Sequence, residues 1–323
     1  MRKYIIKRLL QSVIILFGVT LIIFFLLHLA PGDPFIQNLN PNVTPEVREK
    51  MLRSIGYYDP IYIQYFKWLS QILRGNLGFS IQFGKPVLDV IRDYLPNTIL
   101  LGSTSLLLSL CIAIPAGIYS SRKRGSLFDY LVTFFCFLGI SIPAFFFGLL
   151  MIKWFAFDLK IFPTSGMISI GKDYTGWAHF FDVMKHMFLP TLVLSLVNTA
   201  SFMRYTRSSM IEVIGEDYIR TARAKGLLEN KVIYKHAFRN ALISIITVIT
   251  LTIPEIFSGA VLTETIFVWP GIGRVNYDAI GRRDYPLVMG ILLLLASIIL
   301  FSNLLADILY AVVDPRIRYD EEV

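Results

Sequence analysis

Charge is what this chain is short of. Lys, Arg, Asp and Glu together make up 17% of its 323 residues, where a soluble domain carries about a quarter. Hydrophobic types reach 55% and mean hydropathy is +0.60. They lie in long blocks rather than at amphipathic spacing, which excludes a pair of soluble domains and makes the bilayer the expected solvent. Cysteine is almost missing: Cys111 and Cys136 both sit in apolar stretches without CxxC or Cys/His spacing, which excludes a disulfide framework and a zinc site. His28, His179, His186 and His236 are too scattered for a metal constellation, so no metal site is expected. No G-x-S-x-G turn and no intramembrane His/Glu cluster supplies a catalytic set. Residues 166–172 satisfy GxxxxGK, but Asp173 replaces the Ser or Thr that would bind magnesium, and no strand-to-helix context surrounds it. The chain therefore offers no nucleotide site, and any ATP and Mg would be bound by partner subunits.

Six apolar blocks are long enough to cross about 30 Å of hydrocarbon. They cover residues 9–29, 98–119, 131–157, 187–205, 242–262 and 287–312. The first is preceded by Arg2, Lys3, Lys7 and Arg8 like a signal sequence, but Pro31 follows with no A-x-A pattern, so a retained helix is expected. An all-α polytopic protein follows, with a single permease domain over 1–323. It comprises a first span (9–29), an extracytoplasmic segment (30–97), a five-span core (98–312) and a cytoplasmic tail (313–323).

The net charge of +8 suits topology and anionic lipid better than nucleic acid, because the cations flank the apolar blocks. The N-terminal cluster, Arg122-Lys123-Arg124, and the group Arg220, Arg223, Lys225, Lys231, Lys235 and Arg239 fall on one side, the cytoplasm by the positive-inside rule. Both termini join them. The seven Lys/Arg of residues 31–96 do not oppose this, since a loop of that length crosses largely regardless of charge. Within that segment, Thr44 before Pro45 reads as a helix start, with Gly56 as its terminator, and Ile61, Tyr65, Trp68, Leu69 and Ile72 form a second helical stripe. Residues 85–95 read as a third amphipathic stretch, lying along the membrane interface.

Residues 207–239 form a polar, basic insertion longer than a connection needs. Asp217 to Lys225 has helical composition, Gly226 can take positive φ at a C-terminus, and residues 229–240 can resume helix at a new angle. This predicts a protruding helix-turn-helix elbow, with small Thr221, Ala222 and Ala224 and basic Arg220, Arg223 and Lys225 suited to a partner's groove, or else a solvated loop that only sets topology. Inside the spans, Glu255 beside Pro254 is costly unless it meets partners or water. It reads as lining a pathway or as bonding a neighbouring helix. Asn198, Glu264 and Asp307 are further pathway candidates, Asp307 reading more as structural.

The segment Asp217-Tyr218-Ile219-Arg220-Thr221-Ala222-Arg223-Ala224-Lys225-Gly226, with Glu212 before it and His236-Ala237-Phe238-Arg239 after, resembles the cytoplasmic loop of binding-protein-dependent ABC importer permeases. In order along the chain, Ala30-Pro31-Gly32-Asp33-Pro34, Gly75-Asn76-Leu77-Gly78, Pro96-Asn97-Thr98, Thr263-Glu264-Thr265, Trp269-Pro270-Gly271 and Asp284-Tyr285-Pro286 resemble the dipeptide/oligopeptide and nickel permease family. The long first extracytoplasmic segment resembles the first of its two paired permeases. The resemblance implies a bacterial or archaeal inner-membrane subunit that pairs with a sister permease and receives solute from an extracytoplasmic binding protein. It also implies two cytoplasmic ATPases docked on the elbow loops. Peptides are the implied cargo, with nickel or metal chelates and oligosaccharides as alternatives. A self-sufficient secondary transporter is the rival class, against which six unequal spans and the long elbow argue.

Overall fold

The structure is a computed structural model that describes residues 2–29, 49–50, 53, 58–258 and 261–313, with side chains except at 2–5, 243, 255, 258 and 306–313. The helix start expected at Thr44 and Pro45 lies outside the described residues. From the N-terminus come α1 (Arg2–Leu29), α2 (Ile61–Leu73), a hairpin of β1 (Phe79–Ser80) and β2 (Lys85–Pro86), then α3 (Val87–Arg122) and α4 (Leu127–Ser141). Next are α5 (Ala144–Met151), continued by a π-helical run Ile152–Asp158, then α6 (Gly176–Ile214) and α7 (Asp217–Ala224). A run opening at Glu229–Lys231 passes through π-helical Val232–Phe238 into α8 (Arg239–Ser258), followed by α9 (Val261–Ile266), α10 (Ile272–Gly281) and α11 (Tyr285–Val313).

Four described helices are long and apolar enough to cross a membrane, and two bent pairs bring the number to six when each pair is one span. The chain is thus a multi-pass membrane protein, as the apolar blocks predicted. The block expected as the third span is broken: 127–141 and 144–158 meet at 99°. Pro143 removes an amide donor and excludes α geometry from the residue before it, and Ile142 is accordingly extended at φ −80°, ψ 122°. The fifth span is bent by 46° and begins as the second arm of the elbow.

Residues 85–95 do not form a separate interfacial helix. Pro86 caps α3, which runs from Val87 through the membrane as one helix of 36 residues. Its apolar stripe Val87, Val90 and Ile91 is buried against Ile272 and Val275 of α10 and Leu287 of α11, a better use of that face than the lipid surface. The middle of the α2 stripe packs on α1: Tyr65 is buried, shares a hydrogen bond of 2.8 Å with Thr20, and lies with Trp68 against Phe24.

Glycine lets the spans close on one another. A Cβ on Gly117 of α3 would stand 2.8 Å from Thr206 Cβ of α6, and one on Gly102 would stand 2.7 Å from Ile256 of α8. Small residues at such crossings supply the packing that lipid gives no hydrophobic reason for.

Candidate functional site

The elbow forms as its residue types dictate. α6 ends at Gly215, α7 occupies Asp217–Ala224, and Gly226 turns the chain at φ +74°. α7 is amphipathic over two turns. Ile219 and Ala222 are buried with Ile118 of α3, Met210 of α6, and Val232, Ile233 and Ala237 of the second arm. Asp217, Arg220, Thr221, Ala224 and Lys225 are exposed. Ala222, grouped from sequence with the small partner-facing residues, faces the chain's own core instead. Arg223 is not free for a partner's acid: it makes a two-pronged pair with Glu229 at 2.9 and 3.2 Å across the turn, and that hydrogen-bonded carboxylate raises the Arg223 pKa further. Both side chains are 40% exposed, so the pair closes the turn more than it stabilises the fold. Burial, with Glu216 beside it, pushes the Tyr218 phenol up. Arg220 pairs with Asp217 at 3.3 Å on the exposed face. Glu212 and Arg239 are exposed at the two roots of the elbow, and His236 is half-buried.

Beneath the elbow lies a network that the sequence reading did not single out. Asp129 of α4, 4% exposed, accepts two hydrogen bonds from the Arg207 guanidinium of α6 at 2.6 and 2.9 Å. It also accepts from the Ser120 hydroxyl of α3 and from the Gly125 amide at 3.0 Å. Three helices thus share one carboxylate. Arg122, at the end of α3, donates to Asn230 of the second arm at 3.0 Å. The signal was available: Asp129 stands in an otherwise apolar helix, where a carboxylate needs a partner.

The intramembrane candidates divide. Asn198 and Glu264 line the same cavity of 330 Å³, together with Thr98, Ser105, Thr252 and Ile256. The side chains of Glu255 and Asp307 lie outside the described residues. Glu264 is 1% exposed and fully engaged. It accepts from the Thr98 hydroxyl at 2.8 Å and from the Arg274 amide at 3.0 Å, while Thr98 accepts from the Ile272 amide at 2.8 Å. The carboxylate therefore caps the N-terminus of α10, where orphan amides and the helix dipole favour an anion. A Cβ on Gly271 would stand 2.3 Å from that carboxylate, so a side chain there would push Glu264 off the helix end.

Segments distant in sequence meet around this cap. Asn97 donates to the Pro270 carbonyl at 2.9 Å, and the buried Trp269 indole donates to the Asn97 carbonyl at 3.0 Å. Nearby, Asp284 is buried and accepts from Ser80 Oγ at 2.5 Å and from the Gln82 amide at 3.0 Å, tying the hairpin to α11. The GxxxxGK segment runs through bends and turns between helices, and its Gly166 donates to the Phe267 carbonyl at 2.8 Å.

Comparison with known proteins agrees with this architecture. Residues 1–102 match the N-terminal membrane component of binding-protein-dependent transport systems. Over nearly the whole length of both chains, the sequence is 43% identical to the oligopeptide transport system permease protein AppB of Bacillus subtilis (99% of this chain, 100% of the relative). It is 39% identical to the dipeptide transport system permease protein DppB of Escherichia coli K12 (99% of each). The di/tripeptide transport system permease protein DppB of Pseudomonas aeruginosa is likewise 39% identical, with 99% of each covered. In fold, the chain resembles a solved chain of the MetNI methionine ABC transporter in an inward-facing conformation, with a TM-score of 0.53 and 16% identity over 70% of this chain and 97% of that one. Residues 113–319 match the family described as the binding-protein-dependent transport system inner membrane component, and the chain belongs to that family as an ABC importer permease.

Proposed function

We propose that this permease moves peptides across the cytoplasmic membrane with a sister permease, and that its elbow is where a cytoplasmic ATPase docks. One observation carries the docking surface: α7 is seated on the spans through Ile219 and Ala222 while its opposite face, with Asp217, Arg220, Thr221 and Lys225, stands exposed. A short helix held from behind and polar in front can pass a rigid-body displacement into the membrane domain. ATP and Mg belong to the partner subunits, and an extracytoplasmic binding protein delivers the solute. The peptide assignment rests on relatives named for dipeptides, di/tripeptides and oligopeptides. Asn198 and Glu264, on one cavity, are the pathway residues proposed from the described side chains, Glu264 acting by holding α10 in place. Reconstitution of the complete transporter in liposomes tests the reading: labelled peptides should accumulate only with ATP and the binding protein. Accumulation of metal chelates or oligosaccharides instead would replace the cargo, and accumulation without ATPases would end the proposal.

A further inference from the structure

Residues 159–175, which contain the GxxxxGK segment, form no helix or strand between the π-helical end of α5 and the start of α6, yet they are fastened along their length. The Phe162 ring stacks on Phe188 of α6, with centroids 4.5 Å apart and planes within 5°. The Gly166 amide is bonded to the Phe267 carbonyl just after α9. Ser169 donates twice to the carboxylate of Asp182 on α6, from its amide and from its hydroxyl, each at 2.7 Å. The Asp182 side chain is 9% exposed, and hydrogen bonds to a charged acceptor withdrawn from water are the strong ones. His186 supports it from one turn on: its Nδ1 donates to the Asp182 carbonyl at 2.8 Å and lies 3.7 Å from Asp182 Oδ1.

These fastenings hold the segment against the walls of the cavity that contains Asn198 and Glu264. Phe162 packs on the cluster of Leu189, Val193 and Phe267, and Met167 on the cluster of Leu101, Val183, Met187 and Trp269. Leu101 and Val193 line the cavity itself. On α6 the segment is tied at Asp182 and Phe188, beyond the cavity residues Val193 to Asn198 on the side away from the elbow. Its ends are built to swing. Lys160, Gly171 and Gly176 take positive φ, at +54°, +79° and +58°, and a Cβ on either glycine would meet no heavy atom within 4 Å. Positions of this kind absorb the backbone rotation of a segment that opens and closes.

We propose that residues 159–175 are a gate over the cavity, and that Asp182 is the positioning residue that latches it shut through Ser169. The gate rests on the reading of that cavity as part of the solute pathway. Its test uses the complete transporter in nanodiscs, where both faces meet a thiol reagent, with Cys111 and Cys136 replaced by serine and alanine and Met167→Cys introduced under the gate. Labelling at 167 should rise severalfold from the resting state to turnover with ATP, binding protein and peptide. Asp182→Ala should raise resting labelling about tenfold, the size expected when a hydrogen-bonded carboxylate is lost, and Asp182→Asn, which keeps an acceptor oxygen, should raise it less. In liposomes, a cleavable thiol crosslinker joining Ser169→Cys to Asp182→Cys should stop uptake of labelled peptide, and reductive release should restore it. Equal labelling at rest and in turnover, no rise in Asp182→Ala, or undiminished uptake through the crosslinked chain would each overturn the gate. Absence of uptake before crosslinking would strike the transport reading instead, and labelling at 167 would still decide whether the segment opens.

Discussion

Gly226 turns the elbow at φ +74°, and no heavy atom lies within 4 Å of the place a Cβ would take. A side chain there meets only the resistance of its own backbone, about 1–2 kcal/mol for most L-residues and less for asparagine. Gly226→Val should therefore lower ATP-driven uptake while Gly226→Asn retains most of it, with membrane insertion of both measured beside transport. Equal uptake in the two would remove the turn from the coupling mechanism. Glu264 makes a second residue-scale test. Glu264→Ala leaves the Thr98 hydroxyl and the first amides of α10 without their acceptor, a loss of about 1–3 kcal/mol that should appear as a lower melting temperature in detergent. Gln, which keeps one acceptor oxygen, should recover part of it. The two residues differ in how legible they were. A glycine after a helical segment announces a C-terminal turn locally. The partners of Glu264 come from residues 98 and 274, far apart in sequence, so its sequence reading stopped at a pathway candidate.

Between elements, the Asp129–Arg207 pair binds α3, α4 and α6 at the root of the elbow. Arg207→Ala strands a carboxylate that is 4% exposed, and stranding a buried partner costs about 3–5 kcal/mol. The double change Asp129→Ala/Arg207→Ala should be milder than Arg207→Ala alone, as thermal stability of the purified permease would show; equal or additive losses would mean the pair is not the source. The same scale shows where apolar length misled. Long apolar runs revealed the candidate spans, since a helix satisfies its backbone within a single segment in hydrocarbon. They did not reveal that α3 starts at Val87 or that α6 starts at Gly176, because helix outside the hydrocarbon need not be apolar. Nor does a hydropathy window register a break: Pro143 sits in an apolar block, and its 99° bend follows from the lost donor rather than from any change in polarity.

For the whole molecule, the distribution of Lys and Arg sets the proposed orientation, and the structure supplies sites to test it. With Cys111 and Cys136 replaced by serine and alanine, Ile170→Cys, fully exposed in the loop before α6, should react with an impermeant thiol reagent on intact cells. Arg124→Cys, at the exposed turn between α3 and α4, should react only after permeabilisation. The reverse pattern would invert the protein. One feature joins the two faces directly: α6 runs unbroken over 39 residues, about 58 Å at 1.5 Å per residue. It is held at several levels along that length: Val183 and Met187 pack with Leu101 and Trp269, Leu189 and Val193 with Phe267, Thr206 abuts Gly117, and Arg207 meets Asp129. A rod gripped at many heights cannot pivot about one of them, so a displacement imposed at the elbow reaches the opposite mouth only by carrying the helices packed against α6 along with it as one block.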